Sequence, residues 1–242
     1  MPDPAILAAM GKGFNGLILK AMGGSDYRLT VTSSRAITDK YLRLGFTGGG
    51  VLTDHPVHPT QWLRLWIPDG DAIQQRGYTL VEPDAAADTF DIEFAIHDGP
   101  AARWAQSAQP GDQIEATVMG SKFQIPETRP SEYVVFGDTA SLPAINSLLG
   151  AIGDTPARVW LEWQYESDKG LPVNAGPSTT VTWLERVNDG QLLRETAEQM
   201  TCAPDAFAWI ACDGLTTRSI TKTVKTQHAL PKTSVKAQAY WR

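Results

Sequence analysis

Gln61-Trp62-Leu63-Arg64-Leu65-Trp66-Ile67-Pro68, a turn at Asp69-Gly70, and then Arg76-Gly77-Tyr78-Thr79 make up the stretch from which the rest of the chain can be ordered. An alternating apolar run closed by a Pro/Gly turn is a strand signal. Successive strand side chains change face, so Arg76 and Tyr78 share one face and Thr79 takes the other unless the strand bends there. A guanidinium forks onto phosphate, an aromatic lies on a flat ring, and a hydroxyl adds a hydrogen-bonding group. The set suits a phosphorylated aromatic cofactor. Four residues are a short string, and Arg or Tyr on a strand most often only faces solvent, so the neighbouring sequence must decide.

Working outward, the first half reads as short strands. Tyr27 to Thr32, Lys40 to Phe46, Phe90 to Ile96 and Ile114 to Met119 alternate polar and apolar residues, separated by Gly and Pro clusters. That pattern predicts a barrel or sandwich. One helix is expected at Pro100 to Gln109, bounded by Gly99 and by Pro110-Gly111. Gln124 to Pro130 reads as a linker. Beyond it strands and helices alternate: Tyr133 to Phe136, helix Leu142 to Ile152, Arg158 to Trp163, Val181 to Leu184, helix Gln191 to Met200, Ala206 to Ala211, and a long helix from about Thr216. This is the signature of βαβ units around a parallel sheet. The expected domains are 1–126 and 127–242.

With 242 residues, 42% hydrophobic and 20% charged, the chain has the composition of a soluble globular protein. No apolar run approaches the roughly 20 residues that span a bilayer. Met1-Pro2-Asp3-Pro4 lacks the basic start of a signal peptide, so a cytoplasmic protein without membrane insertion is expected. Cys202 and Cys212 form no disulfide framework, and no His/Cys spacing matches a zinc site. His55 and His58, among prolines, read as solvated loop residues. The net charge is −6, yet from Gly214 onward six basic residues and no acid occur, which leaves −12 on the remainder. A cationic tail of that kind favours an anionic partner; nothing points to nucleic acid.

Three more stretches carry chemistry. His97-Asp98-Gly99-Pro100-Ala101-Ala102-Arg103-Trp104 is a strand-turn-helix junction, where exposed amides and the helix dipole attract an anion. Gly137-Asp138-Thr139-Ala140-Ser141-Leu142-Pro143-Ala144-Ile145 lies where the first α/β strand meets its helix, the usual place for a nucleotide. Ala239-Tyr240-Trp241-Arg242 ends the chain on an aromatic pair able to pack in a core or to cover a flat cofactor.

In this order, Arg76-x-Tyr78-Thr79, His97 with Gly99-Pro100-Ala101 and Trp104-Ala105, Gly137-Asp138 with Leu142-Pro143-Ala144-Ile145, Trp183-Leu184-x-Arg186 and Tyr240-Trp241-Arg242 resemble the siderophore-interacting protein family of ferric-siderophore reductases, within the ferredoxin-reductase-like superfamily. The resemblance spans nearly the whole chain. It implies an antiparallel FAD-binding β-barrel followed by a parallel-sheet half like a nicotinamide domain. Arg76 would contact the FAD phosphates, Tyr78 would pack on the flavin, Thr79 would bond its edge, and the Gly99 to Trp104 turn would hold the pyrophosphate. Gly137, Asp138 and Trp241 would complete the cofactor set. The flavin would pass electrons from NAD(P)H or a reduced ferredoxin to ferric iron held by a siderophore, with no catalytic acid or base. Lys122, Lys222, Lys232 and Arg242 are expected to form the cationic contacts to the siderophore. Related outcomes are a siderophore- or flavin-binding module without turnover, and a flavin reductase acting on other acceptors. The chain departs from the family at Val81, where a second arginine is usual, at Met119 to Lys122 in place of a glycine-rich turn, at Thr139-Ala140-Ser141, and at Ala211-Cys212-Asp213. It also stops at Arg242, short of the residues common after that motif. Cys212 would either approach a nicotinamide or serve as a buried structural thiol.

Overall fold

The computed structural model describes residues 24–119 and 123–241, so Lys122 and Arg242 lie outside the described residues. Two compact units share the chain, Met1–Phe123 and Gln124–Arg242.

Unit one holds β1 (Ser25–Thr38), β2 (Tyr41–Thr47), α1 (Val51–Asp54), β3 (Trp62–Asp69), β4 (Ala72–Thr79), β5 (Val81–Asp84), β6 (Thr89–Ala95), α2 (Pro100–Ser107) and β7 (Gln113–Val118). All its strand pairs are antiparallel, in the order β4-β3-β7-β1-β2-β6-β5. The two edges, β4 and β5, are joined through Leu80 alone. Consecutive residues cannot sit on opposite rims of a flat sheet, so the sheet curls until its edges meet, and this is the expected barrel. Alternation explains what fills it: Leu29, Leu44, Phe46, Leu65, Ile92 and Phe94 are all buried. Each such side chain contributes roughly 1.5–3 kcal/mol on leaving water. Two register shifts bend the long β1 so that it pairs with both β2 and β7.

Unit two holds β8 (Tyr133–Asp138), α3 (Leu142–Ile152), β9 (Ala157–Trp163), β10 (Thr179–Glu185), α4 (Gln191–Gln199), β11 (Phe207–Ala211), α5 (Gly214–Thr226) and β12 (Val235–Ala237). Its strands are parallel throughout, ordered β10-β9-β8-β11-β12. Every residue of β8 and β11 is buried, as strands covered on both faces must be. Val134, Phe136, Ala208 and Ile210 pack with Leu193 of α4 and with Ile220 and Val224 of α5. On the opposite face, a Cβ on Gly137 would lie 2.3 Å from Ile145 Cδ1, so the absence of a side chain lets α3 press onto β8.

Helix α5 begins two residues before the expected Thr216, because Asp213 accepts hydrogen bonds from the Leu215 and Thr216 amides and starts the helix there. The first half also contains the four-residue α1 besides the one helix expected. His55 follows α1 outside any helix or strand and is half-buried: its Nε2 lies 2.9 Å from the Tyr27 hydroxyl, and the two rings meet edge-on.

Candidate functional site

Strand β4 presents the Arg76–Thr79 set. It pairs with β3 so that Arg76 faces Leu65, Tyr78 faces Leu63, and Thr79 faces Trp62. Leu63 and Leu65 are core residues, so the Tyr78 ring packs inward, 4.5 Å from the Phe94 ring. Burial pushes the Tyr78 hydroxyl well up, against the opposing pull of Arg76. Arg76 is exposed; its guanidinium donates to Gln75 O at 2.7 Å and to the Gln74 side chain. Both partners are neutral, so its charge is unspent. Thr79 is buried, and its hydroxyl has no hydrogen-bond partner. A buried hydroxyl left unsatisfied costs on the order of 1–3 kcal/mol, which points to a ligand atom as its partner.

The second anion feature is the N-terminus of α2. Gly99 precedes it, Pro100 occupies its first position, no side chain caps it, and its first turn holds no acid. Its amides are therefore free of a capping carboxylate. The exposed His97 ring lies over Gly99, where a Cβ would come within 2.3 Å of His97 Cε1, so glycine lets the ring sit against the turn. Trp104 continues the aromatic row from Tyr78 through Phe94, with 6.1 Å between the Phe94 and Trp104 centroids. Ala101 is buried beneath the helix start. An unpaired hydroxyl, a guanidinium with neutral partners and an open helix start, all within unit one, fit a phosphorylated flavin.

Val81 pairs with Asp91, and the carboxylates of that region are met by Arg43, which contacts Glu93 at 2.6 Å, Glu82 at 3.1 Å and Asp91 at 3.5 Å. Motif reading did not single out Arg64. It is half-buried, stacked 4.5 Å from the Trp62 ring centroid, and has neither a carboxylate nor a carbonyl partner among the described interactions. Burial lowers its pKa. A lone Arg on the polar side of an apolar strand was its only sequence signal.

In unit two the strand ends carry a charged cluster. Arg186 contacts Glu162 at 2.5 Å and Asp213 at 3.2 Å, and the Trp241 indole donates to Asp138 at 2.7 Å. Burial raises the Glu162 carboxyl to about 7 despite Arg186, and one of its oxygens has no partner. Burial likewise raises Asp138, against bonds from Trp241 and Ser141. At Asp213 burial is outweighed by bonds from Thr216 and Leu215, so its pKa falls. Glu162 escaped sequence reading, although a carboxylate within Arg158–Trp163 was a visible interruption. Cys212 is fully buried, which pushes its thiol up. Lys222 and Lys232 are exposed. Among the described residues no cluster of three or more His, Cys, Asp or Glu could hold a metal ion, and no helix is long and apolar enough to cross a membrane.

Residues 22–120 match the siderophore-interacting FAD-binding domain, and residues 130–242 match the siderophore-interacting protein family. The mycobactin import ATP-binding/permease protein IrtA of Mycolicibacterium smegmatis is 34% identical over 96% of this chain, which spans 28% of that relative's length. The NADPH-dependent ferric-chelate reductase of Escherichia coli is 27% identical over 73% of this chain and 69% of its own. Among solved structures, a siderophore utilization protein from T. fusca superposes with a TM-score of 0.79 at 22% identity, covering 90% of this chain and 93% of that one. A ferredoxin NADP+ reductase from Neisseria gonorrhoeae, with bound FAD and NADP, gives 0.68 at 15% identity, covering 89% and 99%. Unit one is thus an FAD-binding domain in the ferredoxin-reductase fold, and the chain belongs to the siderophore-interacting protein family.

Proposed function

We propose that the chain is an FAD-dependent reductase of ferric siderophores that releases ferrous iron in the cytoplasm. The observation that carries this reading is the Arg76–Thr79 set, a guanidinium with only neutral partners beside a buried hydroxyl with none. Arg76 and the start of α2, through the Ala101 amide next to Gly99 and Pro100, hold the FAD phosphates; Tyr78 and Trp104 supply the apolar wall; Thr79 bonds the ring edge. When bound, the flavin carries the electrons, taken from NAD(P)H or a reduced ferredoxin and given to ferric iron. The relative named for NADPH-dependent ferric-chelate reduction supports this acceptor class. Arg64, half-buried without a counter-ion, is assigned to the anionic ferric chelate, because a desolvated guanidinium gains most from a charged ligand.

The test is flavin retention through a desalting column, followed by anaerobic capture of iron(II) by a ferrous chelator. Protein that keeps its flavin and turns over a ferric siderophore supports the reading. Protein that keeps flavin but never reduces iron, even when its flavin is photoreduced, is a binding module instead. Faster reduction of quinones than of any ferric chelate assigns a different acceptor.

A further inference from the structure

Arg76 and the start of α2 are separate anion features of unit one, yet a continuous chain of side-chain contacts joins them. Arg76 donates to Gln74 Oε1, and Gln74 Nε2 donates to Asp69 Oδ2 at 2.5 Å. Arg103 completes the chain. Its fork donates to Asp69 Oδ1 and to Asp98 Oδ1, both at 3.2 Å. Asp69 ends β3, and Gln74 and Arg76 stand two residues apart on one face of β4. Arg103 belongs to the first turn of α2, and Asp98 directly precedes Gly99. The guanidinium thus ties the β3–β4 hairpin to the turn that opens α2.

These contacts do little for stability. The Arg103 side chain is 54% exposed and that of Asp98 99%, and ion pairs at such positions gain little in water. Their order has another consequence. A carboxylate in contact with Arg76 would neutralise it. Instead the neutral Gln74 amide stands between Arg76 and Asp69, and Arg103 meets the Asp69 charge. The amide turns its oxygen to the guanidinium and its nitrogen to the carboxylate, the one order that satisfies all three groups. Arg76 is therefore held in one orientation with its charge left for a ligand.

We propose that Gln74, Asp69 and Arg103 are positioning residues that fix the two anion features relative to each other, and so select the diphosphate of FAD over the single phosphate of FMN. The proposal rests on the reading above in which Arg76 and the start of α2 hold the FAD phosphates. A diphosphate engages two anion features at once, and its binding gains when both are already in place. A single phosphate meets one of them and is indifferent to where the other lies.

Dissociation constants for FAD, FMN and riboflavin are measured by fluorescence titration of the full chain stripped of flavin. Wild type should bind FAD at least about tenfold more tightly than FMN. Arg103→Lys keeps the charge but loses the fork, so FAD should weaken about fivefold while FMN and riboflavin stay within about twofold. Asp69→Asn should act in the same way, and the two losses should not add, because both cut one bridge. Gln74→Glu gives Arg76 a carboxylate partner, so FAD and FMN should both weaken about tenfold and riboflavin should not. An Arg103→Lys variant with wild-type FAD affinity overturns the proposal. So does one that weakens all three flavins alike, since the pocket itself has then changed, and so do losses that add. Wild-type protein that binds riboflavin as tightly as FAD sinks the phosphate reading of Arg76 and α2 itself, whatever the variants do.

Discussion

Arg76 and Thr79 differ in what their loss should reveal. Arg76 is exposed and bonded only to neutral oxygens of Gln74 and Gln75, so Arg76→Ala should leave folding stability within about 0.5 kcal/mol of wild type. FAD affinity should fall about ten- to a hundredfold, the equivalent of one charge-assisted phosphate contact of about 1.5–3 kcal/mol. Fluorescence titration with FAD reads this directly, and unchanged affinity would place the phosphates elsewhere. Thr79→Val makes the opposite pairing. The hydroxyl is buried without a partner, so its removal should leave flavin-free protein as stable as before or up to about 1 kcal/mol more stable. The same substitution should weaken FAD several-fold. A variant that destabilises the flavin-free protein would show that the hydroxyl has a structural partner.

At the scale of elements, α5 depends on Asp213, which accepts from two amides of its first turn and also meets Arg186. Asp213→Ala should cost about 2–3 kcal/mol, about 1 from the cap and the rest from a weakened buried ion pair. Urea unfolding followed by tryptophan fluorescence measures it; a midpoint within error of wild type would mean that Asp213 does not hold the helix start. Much of this architecture was legible in local sequence. Helix α3 runs Leu142–Ile152 as its apolar pattern predicts, with Pro143 near its start and Gly153 past its end. Strand β12 was not legible: one half-buried and two exposed residues have no pattern, and only pairing with β11 makes them a strand. Glu162 was hidden for a related reason. Periodicity treats a charge as a surface mark, yet here Arg186, from beyond another strand, allows a carboxylate to sit 1% exposed at the end of β9. The motifs located Arg76, Tyr78, Thr79 and Gly99 on their strand and turn. Long-range partners such as Arg43 with Glu93 have no local signal.

For the whole molecule, these buried carboxylates predict how stability varies with pH. Burial raises Glu162 from its ordinary value of 4.5 to about 7, and Asp138 shifts in the same direction. A raised carboxyl holds its proton in the folded state after the unfolded chain has released it. Stability from these groups is therefore present below about pH 4.5 and is lost as pH rises toward 7. The Glu162 shift, already reduced by the Arg186 ion pair, corresponds to about 3 kcal/mol. Asp213 works the other way: its lowered carboxyl stabilises above its unfolded value near 3.8, and that contribution disappears as pH falls below it. The net charge of −6 at pH 7 adds self-repulsion on the alkaline side. Together these effects set maximum stability near pH 4–5 and a decline toward pH 7. Denaturant midpoints measured at pH 5 and at pH 7.5 should show that decline in wild-type protein, and Glu162→Gln should flatten it. A wild-type midpoint that rises over the same interval would mean that Glu162 is ionised and fully compensated by Arg186 in the folded protein.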